Sequence, residues 1–317
     1  MRSHYLGIDI GSVSTNLVLL DGDDPSIIRE SIYLRNSGQP LSSVYDAFQT
    51  LLARGYRNEE ILAVGTTGSA RDFVGKIIGA DVIKNEITAH AVAAISERPD
   101  VRTVIEIGGQ DSKIIIIKDK IVVDFAMNTV CAAGTGSFLD HQSARLGIPI
   151  EEFGHYALKA ESSVRIAGRC TVFAESDMIH KQQKGASKEE LIAGLCEALA
   201  RNYLSGIAKG KALKPPILFQ GGVAHNIGIK KALEKELGME MSIPVNFPVM
   251  GAIGAAMLAV NPERGKTRFA GLQRIENLQF QTVECSDCSN HCELTRAVDS
   301  SSNSLACWGD RCGKWQR

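Results

Sequence analysis

The sequence predicts an α/β protein built from two similar halves, followed by a short cysteine-rich tail. Strand-like apolar runs alternate with helix-like segments, and the order that begins near residue 5 starts again at Thr103. Glycine-rich turns follow strands at three main places, and five of the eight cysteines lie after Gln281. The 317 residues are enough for two domains. We predict divisions into residues 1–98, 99–264 and 265–317.

The first half is predicted to begin with a strand, a tight turn and a second strand over residues 5–21. An amphipathic helix follows, because the apolar residues of residues 41–52 fall on one helical face. A strand over residues 61–68 then leads into a glycine turn, a helix and a short strand near Val82. A helix through residues 89–95 closes this half.

The second half repeats this order. Two strands begin at Thr103, residues 120–125 form a third, and helices follow, the longest from Lys188 to about Gly210. A strand at residue 217 then passes through a glycine pair into another helix. Small residues dominate the helix predicted over residues 250–258, and we expect it to pack back against the first half.

Two of the glycine turns come directly after strands that carry a carboxylate, at Asp9 and at Glu106. Glycine lets the backbone approach phosphate oxygens, and successive N–H groups bind anions. The carboxylates are suited to a divalent metal held through water, as Mg²⁺ prefers. One such turn is weak evidence and is often an ordinary tight turn, but three in this order predict a nucleotide site. Its candidate binding residues are Gly11, Ser12, Ser14, Thr15, Gly108, Gly109, Gly134, Gly221, Gly222 and Asn226.

Two further motifs each place one cysteine, Cys131 or Cys170, just before a predicted helix start. Unpaired N–H groups and the helix dipole favour a thiolate or an anionic cluster there. An iron–sulfur cluster usually takes four cysteine ligands, so one chain supplies half a site and a second copy would supply the rest. By spacing alone, however, two buried cysteines acting as small hydrophobes are the favoured interpretation.

Together these motifs resemble the ATPases of the actin, hexokinase and Hsp70 superfamily. Within it the chain resembles the BadF/BadG/BcrA/BcrD ATPase family, which includes activators of 2-hydroxyacyl-CoA dehydratases and benzoyl-CoA reductase ATPase subunits. The matching motifs lie between residue 5 and about residue 260, and sugar kinases of the superfamily lack the two cysteine motifs. The motifs begin at Gly7, Ile107, Cys131, Cys170 and Gly221.

The resemblance implies two RNase H-like (actin-like ATPase) domains with ATP or ADP in the cleft between them. It implies one [4Fe–4S] cluster per homodimer, held by Cys131 and Cys170 of each subunit. Asp9 and Glu106 would position Mg²⁺, while Gln110 and Asp111 would align the attacking water. A ferredoxin or flavodoxin would donate the electron. The acceptor would be an iron–sulfur partner, either a 2-hydroxyacyl-CoA dehydratase or a double-cubane cluster protein.

The tail has cysteines at metal-ligand spacing. Longer relatives of the same group carry a similar pattern, and on that basis the expected ligands are Cys285, Cys288, Cys292 and Cys312. Cys307 is the alternate ligand or a free thiol. Zinc and a second iron–sulfur cluster both remain open as the metal.

Composition indicates an ordinary cytoplasmic enzyme. The formal net charge is −1 with both signs mixed along the chain, which favours neither a nucleic-acid nor a membrane partner. We expect no transmembrane span and no signal peptide, so the cysteines are expected to bind metal rather than form disulfides. Cys196 is predicted to lie in the core. Lys113 is expected either to touch phosphate or metal ligands or to be solvated at the surface.

Two other functions remain open at this stage. One is a small-molecule kinase, for example of an amino sugar, which would have no use for Cys131 and Cys170. The other is a non-redox nucleotide switch or chaperone-like module whose tail is a zinc-bound docking element. Iron content separates the electron-transfer hypothesis from both.

Overall fold

A computed structural model describes residues 3–36, 38–128, 134–168, 170–261, 265–276 and 278–315. The chain forms two compact units. The first contains Met1–Ala89 together with Gly251–Arg317, and the second contains His90–Met250. The cysteine-rich tail therefore groups with the first unit. The chain passes between units inside two helices, after Ala89 and after Met250, whereas the sequence placed the divisions near residues 98 and 264.

The first unit is built on a five-stranded mixed sheet of order β3-β2-β1-β4-β5. Strands β1, β2 and β3 form an antiparallel meander, and β4 and β5 run parallel to β1. The elements are β1 (His4–Ile10), β2 (Ser14–Asp21), β3 (Ile28–Arg35), α1 (Pro40–Ala53), β4 (Ile61–Thr67), α2 (Arg71–Ile78), β5 (Val82–Ile83) and α3 (Glu86–Glu97).

The second unit repeats this topology in the order β10-β9-β6-β7-β8. Again a three-stranded antiparallel meander is followed by two strands parallel to the first strand of the meander. The elements are β6 (Thr103–Ile107), β7 (Ser112–Lys118), β8 (Ile121–Asn128), α4 (Gly136–Leu146), α5 (Ile150–Lys159), α6 (Thr171–Gln183), α7 (Lys188–Gly206), β9 (Ile217–Gln220), α8 (Ile227–Leu237) and β10 (Met241–Ser242). Helix α9 (Met250–Ala259) begins at the last residue of this unit and otherwise belongs to the first.

The shared strand order confirms the predicted α/β architecture of two RNase H-like, actin-like ATPase halves. The sequence missed β3, whose alternation of apolar and charged residues fits a half-exposed edge strand. The predicted apolar face of α1 is confirmed, since Val44, Phe48 and Leu51 are fully buried. The long helix α7 ends at Gly206 rather than near Gly210.

Helix α9 packs directly on the sheet of the first unit, as the sequence predicted from its small residues. A Cβ added to Gly7 on β1 would lie 2.0 Å from the Ala252 carbonyl oxygen, and one on Gly65 of β4 would lie 2.0 Å from the Ala255 carbonyl oxygen. Both positions therefore require glycine, because only the absent side chain lets the helix backbone approach the strands.

The tail forms a third, antiparallel sheet that the sequence did not predict. Its strands are β11 (Gln279–Glu284), β12 (Glu293–Val298) and β13 (Ser304–Trp308). Trp308 meets Phe73 of α2 edge-on, with 4.6 Å between ring centroids. Leu272 and Ile275 lie in the same buried cluster as the apolar residues of β1 and α1. The tail therefore completes the core of the first unit.

No helix within the described residues combines the length and apolar character needed to cross a membrane.

Candidate functional site

The two halves place chemically active side chains at the same three strand positions. In the first unit Asp9 on β1 pairs with Asn16 on β2 and with Thr67 on β4. Cross-strand partners share one face of a sheet, so the carboxylate lies beside an amide and a hydroxyl. In the second unit the corresponding set is Glu106, with Lys113 on β7 and Gln220 on β9.

Each carboxylate lies against a glycine in the left-handed region. Gly68 has φ +90° and Gly221 has φ +88°. A Cβ on Gly68 would lie 2.6 Å from Asp9 Oδ1, and a Cβ on Gly221 would lie 2.6 Å from Glu106 Oε1. The sequence singled out Gly221 but not Gly68, although both end a strand. In both units a glycine follows directly after a strand, and this repeated sequence pattern is the signal that could have indicated Gly68.

The glycine turn between β1 and β2 is held closed by one backbone and one side-chain hydrogen bond. The N–H of Gly11 donates to the Ser14 carbonyl at 2.9 Å, and Asn36 Nδ2 donates to the Gly11 carbonyl at 2.7 Å. Ser12 is exposed, whereas Thr15 is fully buried. Asn36, which the sequence did not indicate, therefore fixes the shape of this turn.

The surroundings of Asp9 suit a Mg²⁺ ion. Among the described residues, neither Asn16 Oδ1 nor Thr67 Oγ1 has a hydrogen-bond partner, although both atoms are buried. Nowhere in the described ranges do three His, Cys, Asp or Glu side chains converge on a possible metal position. One carboxylate with neutral oxygens, water and substrate phosphates is nevertheless a usual ligand set for Mg²⁺, so the donor chemistry fits at Asp9.

Glu106 differs from Asp9, because a buried lysine forms an ion pair with it. Lys113 Nζ lies 2.8 Å from Glu106 Oε2 and 2.9 Å from Asp111 Oδ1, and the lysine side chain is only 2% exposed. The prediction that Lys113 is solvated at the surface is thus wrong. Its ammonium group instead contacts two carboxylates that the sequence predicted as site residues. A metal ion at Glu106 would compete with this internal cation, whereas the cross-strand positions beside Asp9 hold Asn16 and Thr67.

Two buried side chains, His90 and Tyr203, lie close enough to this ion pair to feel its charges. Gln220 Nε2 lies 3.2 Å from His90 Nδ1. Burial, with a smaller contribution from the Lys113 charge, lowers the pKa of His90 to about 3, so the ring is neutral near pH 7. Tyr203 donates its hydroxyl hydrogen to the Lys113 carbonyl at 2.7 Å. Burial first, and the Glu106 charge second, raise the pKa of Tyr203.

At the third glycine turn, Asn226 has a structural task. It caps α8, since its Oδ1 accepts from the Ile229 N–H at 3.1 Å. Asn226 Nδ2 is buried and has no partner within the described part of the chain. Gly222 is exposed and Gly221 is buried. Only the Asn226 amide nitrogen and the exposed backbone of Gly222 therefore remain for the nucleoside contact predicted here.

Of the two predicted cluster cysteines, Cys131 lies outside the described residues. Cys170 is the N-cap of α6 and is partly exposed. The first turn of α6 also presents two apolar side chains to solvent, Val172 at 67% and Phe173 at 66% exposure. The thiol therefore lies at the N-terminus of a 13-residue helix, beside an exposed apolar surface. Cys196 is buried, as predicted, and burial raises the pKa of its thiol to about 12.

The tail cysteines lie near one end of the small sheet, partly in an apolar cluster and partly exposed. Cys285, Cys292 and Cys307 pack in one apolar cluster with Leu294 and Trp315. The Trp315 indole N–H donates to Cys285 Sγ at 3.3 Å. Cys288 and Cys312 are exposed, and in the tail, as in the other described ranges, no three candidate ligands converge. The four-cysteine ligand set stays a prediction.

A family model and individual relatives identify the same group of proteins as similar to this chain. Residues 6–259 match the BadF/BadG/BcrA/BcrD ATPase family. The (R)-2-hydroxyglutaryl-CoA dehydratase activating ATPase of Acidaminococcus fermentans is 34% identical over 261 residues, which cover 82% of this chain and 98% of that protein. The activator of lactoyl-CoA dehydratase from Anaerotignum propionicum is 33% identical, over 83% of this chain and all of that protein.

One solved structure is similar at the same level. It is the activator of the 2-hydroxyisocaproyl-CoA dehydratase from Clostridium difficile with bound ADPNP, at a TM-score of 0.75 and 32% identity. The match covers 82% of this chain and 94% of that one. The family match ends at residue 259, before the cysteine-rich tail begins.

Proposed function

Because the chain belongs to the BadF/BadG/BcrA/BcrD ATPase family, we propose that it couples ATP hydrolysis to the activation of an iron–sulfur partner enzyme by electron transfer. The observation that carries the proposal is the placement of Cys170. A partly exposed thiol at the start of α6 lies in the same compact unit as the Glu106–Asp111 turn. Relatives named as dehydratase activators support the same role.

For ATP hydrolysis, backbone N–H groups of the two glycine turns would bind phosphate oxygens. Asp9, with the neutral oxygens beside it, would hold Mg²⁺ through water. The water oxygen attacks the γ-phosphorus, the bond to the bridging oxygen breaks, and ADP, phosphate and a proton leave. Asp111 is 28% exposed and is fixed by Lys113 through one oxygen. Its carboxylate, with Gln110 beside it in sequence, would align this water.

The cluster residues would be Cys131 and Cys170 of two copies of the chain. A bound [4Fe–4S] cluster would supply one-electron chemistry at low potential. This chain would contribute the α6 N-terminus, which favours negatively charged thiolate ligands. The exposed Val172 and Phe173 side chains would be covered in the homodimer. A ferredoxin or flavodoxin would be the donor, and a 2-hydroxyacyl-CoA dehydratase or a double-cubane cluster protein the acceptor.

Iron and sulfide analysis of anaerobically purified protein, together with ATP turnover, tests the proposal. We expect about four irons per dimer, lost in Cys131→Ser and in Cys170→Ser. Cys196→Ala is the matched control, because that cysteine is buried and should not affect iron. Iron that persists in both cysteine variants would overturn the shared cluster. ATP consumption that requires an amino sugar, in protein without iron, would favour the kinase.

We also propose a second metal in the tail, held by Cys285, Cys288, Cys292 and Cys312, with Cys307 as the alternate. The strand register supports it, because the C-terminal ends of β11 and β13 both lie beside the N-terminal end of β12. The test is zinc and iron content of the full chain, comparing Cys288→Ser with Cys196→Ala. Loss of one metal equivalent only in Cys288→Ser supports the site, and equal metal content refutes it.

A further inference from the structure

We propose that Asp177 and Arg201 are positioning residues that fix the direction from which the chain reaches Cys170. Residues 160–168, which we call the approach segment, follow α5 and form no helix or strand. Backbone groups without regular pairing need other partners, and side chains of α6 and α7 supply several of them here. This inference rests on the proposed function, since it assigns both residues to the support of a cluster ligand.

Helix α7 holds the approach segment through side chains on one of its faces. Arg201 Nη2 donates to the Ile166 carbonyl at 2.9 Å, and Ile166 lies four residues before Cys170. Ser163 Oγ donates to Glu197 Oε2 at 2.9 Å. Glu197 and Arg201 are about one helical turn apart, and Arg201 Nη1 lies 3.7 Å from Glu197 Oε2. The carboxylate therefore orients the guanidinium that binds the segment.

The approach segment also lies directly on the backbone of α7. A Cβ added to Gly194 would lie 2.2 Å from the Val164 carbonyl oxygen, and one on Gly168 would lie 2.8 Å from the Ala198 carbonyl oxygen. The Ile166 side chain is fully buried in the core of the second unit. The segment therefore has little room to move away from the hydrogen-bonding side chains of α7.

Asp177 fixes the chain from the other side of the thiol. It lies on α6, about two helical turns after Cys170. Its Oδ2 accepts a hydrogen bond from the Ala167 N–H at 2.9 Å. This bond joins a residue before Cys170 to a residue after it, so it closes a short loop that contains the cysteine. The thiol cannot change its direction relative to α6 without straining this bond.

Such support has a direct consequence for metal binding. A ligand that is already held in place loses less conformational freedom when a metal binds it. Removal of contacts that orient metal ligands typically lowers metal affinity by about 10–100-fold. Asp177 and Arg201 are themselves only partly buried. We therefore expect their loss to weaken iron retention while the fold is kept.

The test measures iron release to the chelator bathophenanthroline from anaerobically purified full-length protein. Asp177→Ala and Arg201→Met should each release iron at least about tenfold faster than the wild type, while circular dichroism shows them to be folded. Asp177→Asn keeps an oxygen that can accept from the Ala167 N–H, so it should release iron at nearly the wild-type rate. This rescue distinguishes positioning from a general effect of substitution.

A second readout needs no iron. In reduced, iron-free protein, the amide hydrogen of Ala167 should exchange about tenfold faster in Asp177→Ala, because it loses its acceptor. Alkylation of Cys170 by iodoacetamide, followed by mass spectrometry, should be at least about threefold faster in Asp177→Ala and in Arg201→Met, since local opening exposes the thiol.

Each helix offers a matched control. Ser176 is next to Asp177 on α6, but its Oγ donates within the helix to the Val172 carbonyl. Lys188 lies on α7 and, like Arg201, donates to a backbone carbonyl, that of Leu146 at 3.1 Å, away from the approach segment. Ser176→Ala and Lys188→Met should match the wild type in both readouts.

The outcomes separate two kinds of failure. If the wild type retains no iron, the proposed function is overturned and this inference falls with it. If the wild type retains iron and Asp177→Ala and Arg201→Met release it at the wild-type rate, only the positioning role is overturned. Equal impairment of Asp177→Asn and Asp177→Ala would likewise overturn the role assigned to the bond with Ala167.

Discussion

A lysine, two carboxylates and a histidine share the buried end of β6 and β7. Lys113 contacts both Glu106 and Asp111, and nearby His90 stays neutral. The cross-strand position occupied by this lysine holds Asn16 in the first half. The same strand arrangement thus places a lysine beside the carboxylate in the second unit, and neutral oxygen atoms beside the carboxylate in the first unit. We therefore propose Asp9, beside the neutral oxygens of Asn16 and Thr67, as the carboxylate that holds a divalent cation.

Lys113→Met should lower the free energy of unfolding by about 3–5 kcal/mol, because it leaves two carboxylates without their buried counter-ion. Urea unfolding monitored by circular dichroism measures the change. Adding Glu106→Gln should restore part of the loss by removing the buried unpaired charge. Lys235→Met is the control, since Lys235 is 70% exposed in its pair with Glu197 and should cost less than about 1 kcal/mol. A similarly small effect at Lys113 would contradict this assignment.

His90 should make stability depend on pH. Its pKa is about 3 in the fold and 6.5 in the reference state, so between these values the unfolded chain binds the proton and the folded chain does not. Stability is therefore full above pH 6.5 and falls as pH is lowered toward 3, by up to about 1.4 kcal/mol per pH unit.

His90→Gln keeps a side-chain acceptor for Gln220 and should flatten the slope of unfolding free energy between pH 6 and pH 4. The measurement is a series of urea titrations across this range. His155→Gln replaces an exposed histidine and should leave the slope unchanged. An unaltered slope in His90→Gln would show that the buried ring does not control this dependence.

At the scale of elements, glycines set how closely α9 packs. A Cβ on Gly254 would lie 1.9 Å from the Ala89 carbonyl oxygen, a contact with backbone that no rotamer change relieves. Gly254→Ala should therefore destabilise the protein by about 1–3 kcal/mol, as overpacking does. Thermal unfolding gives the comparison.

Gly206, the last residue of α7, provides the opposite case. Beyond its own turn of helix, no atom of the described residues lies within 4 Å of a Cβ added there, so Gly206→Ala should be neutral or stabilise by up to about 1 kcal/mol through helix propensity. Equal melting temperatures for Gly254→Ala and Gly206→Ala would contradict the packing assigned to α9.

Helices and strands were predicted correctly where the hydrophobic pattern is strong, and were missed where the sequence is mixed and tertiary contacts fix the structure. The apolar face of α1 and the buried strand β6 follow from periodicity and apolar runs. Edge strand β3 and the tail strands have mixed polar sequences that resemble loops. The tail strands are also held by contacts with residues distant in sequence, such as that of Trp308 with Phe73, and local patterns do not contain that information.

For the molecule as a whole, the tail is part of the first unit rather than an appendage. Leu272 and Ile275 lie in its core, and so do Ala297 and Ala306. Deleting residues 265–317 should therefore lower the melting temperature of the first unit and expose apolar surface. Differential scanning calorimetry and dye binding would measure both effects. The milder variant Trp308→Ala should loosen the tail toward limited proteolysis. An unchanged melting temperature on deletion would show that the tail is dispensable for folding.

The sequence by itself determined the two-half α/β fold, the order of the glycine turns and the family, because these depend on local residue patterns. It indicated Asp9, Glu106 and Asp111 as a group. Only the tertiary structure decided that Lys113 binds two of these carboxylates, that Asn36 fixes the turn at Gly11, and that the tail completes the first core. Local residue patterns do not contain these contacts, because each is fixed by burial and packing rather than by local preference.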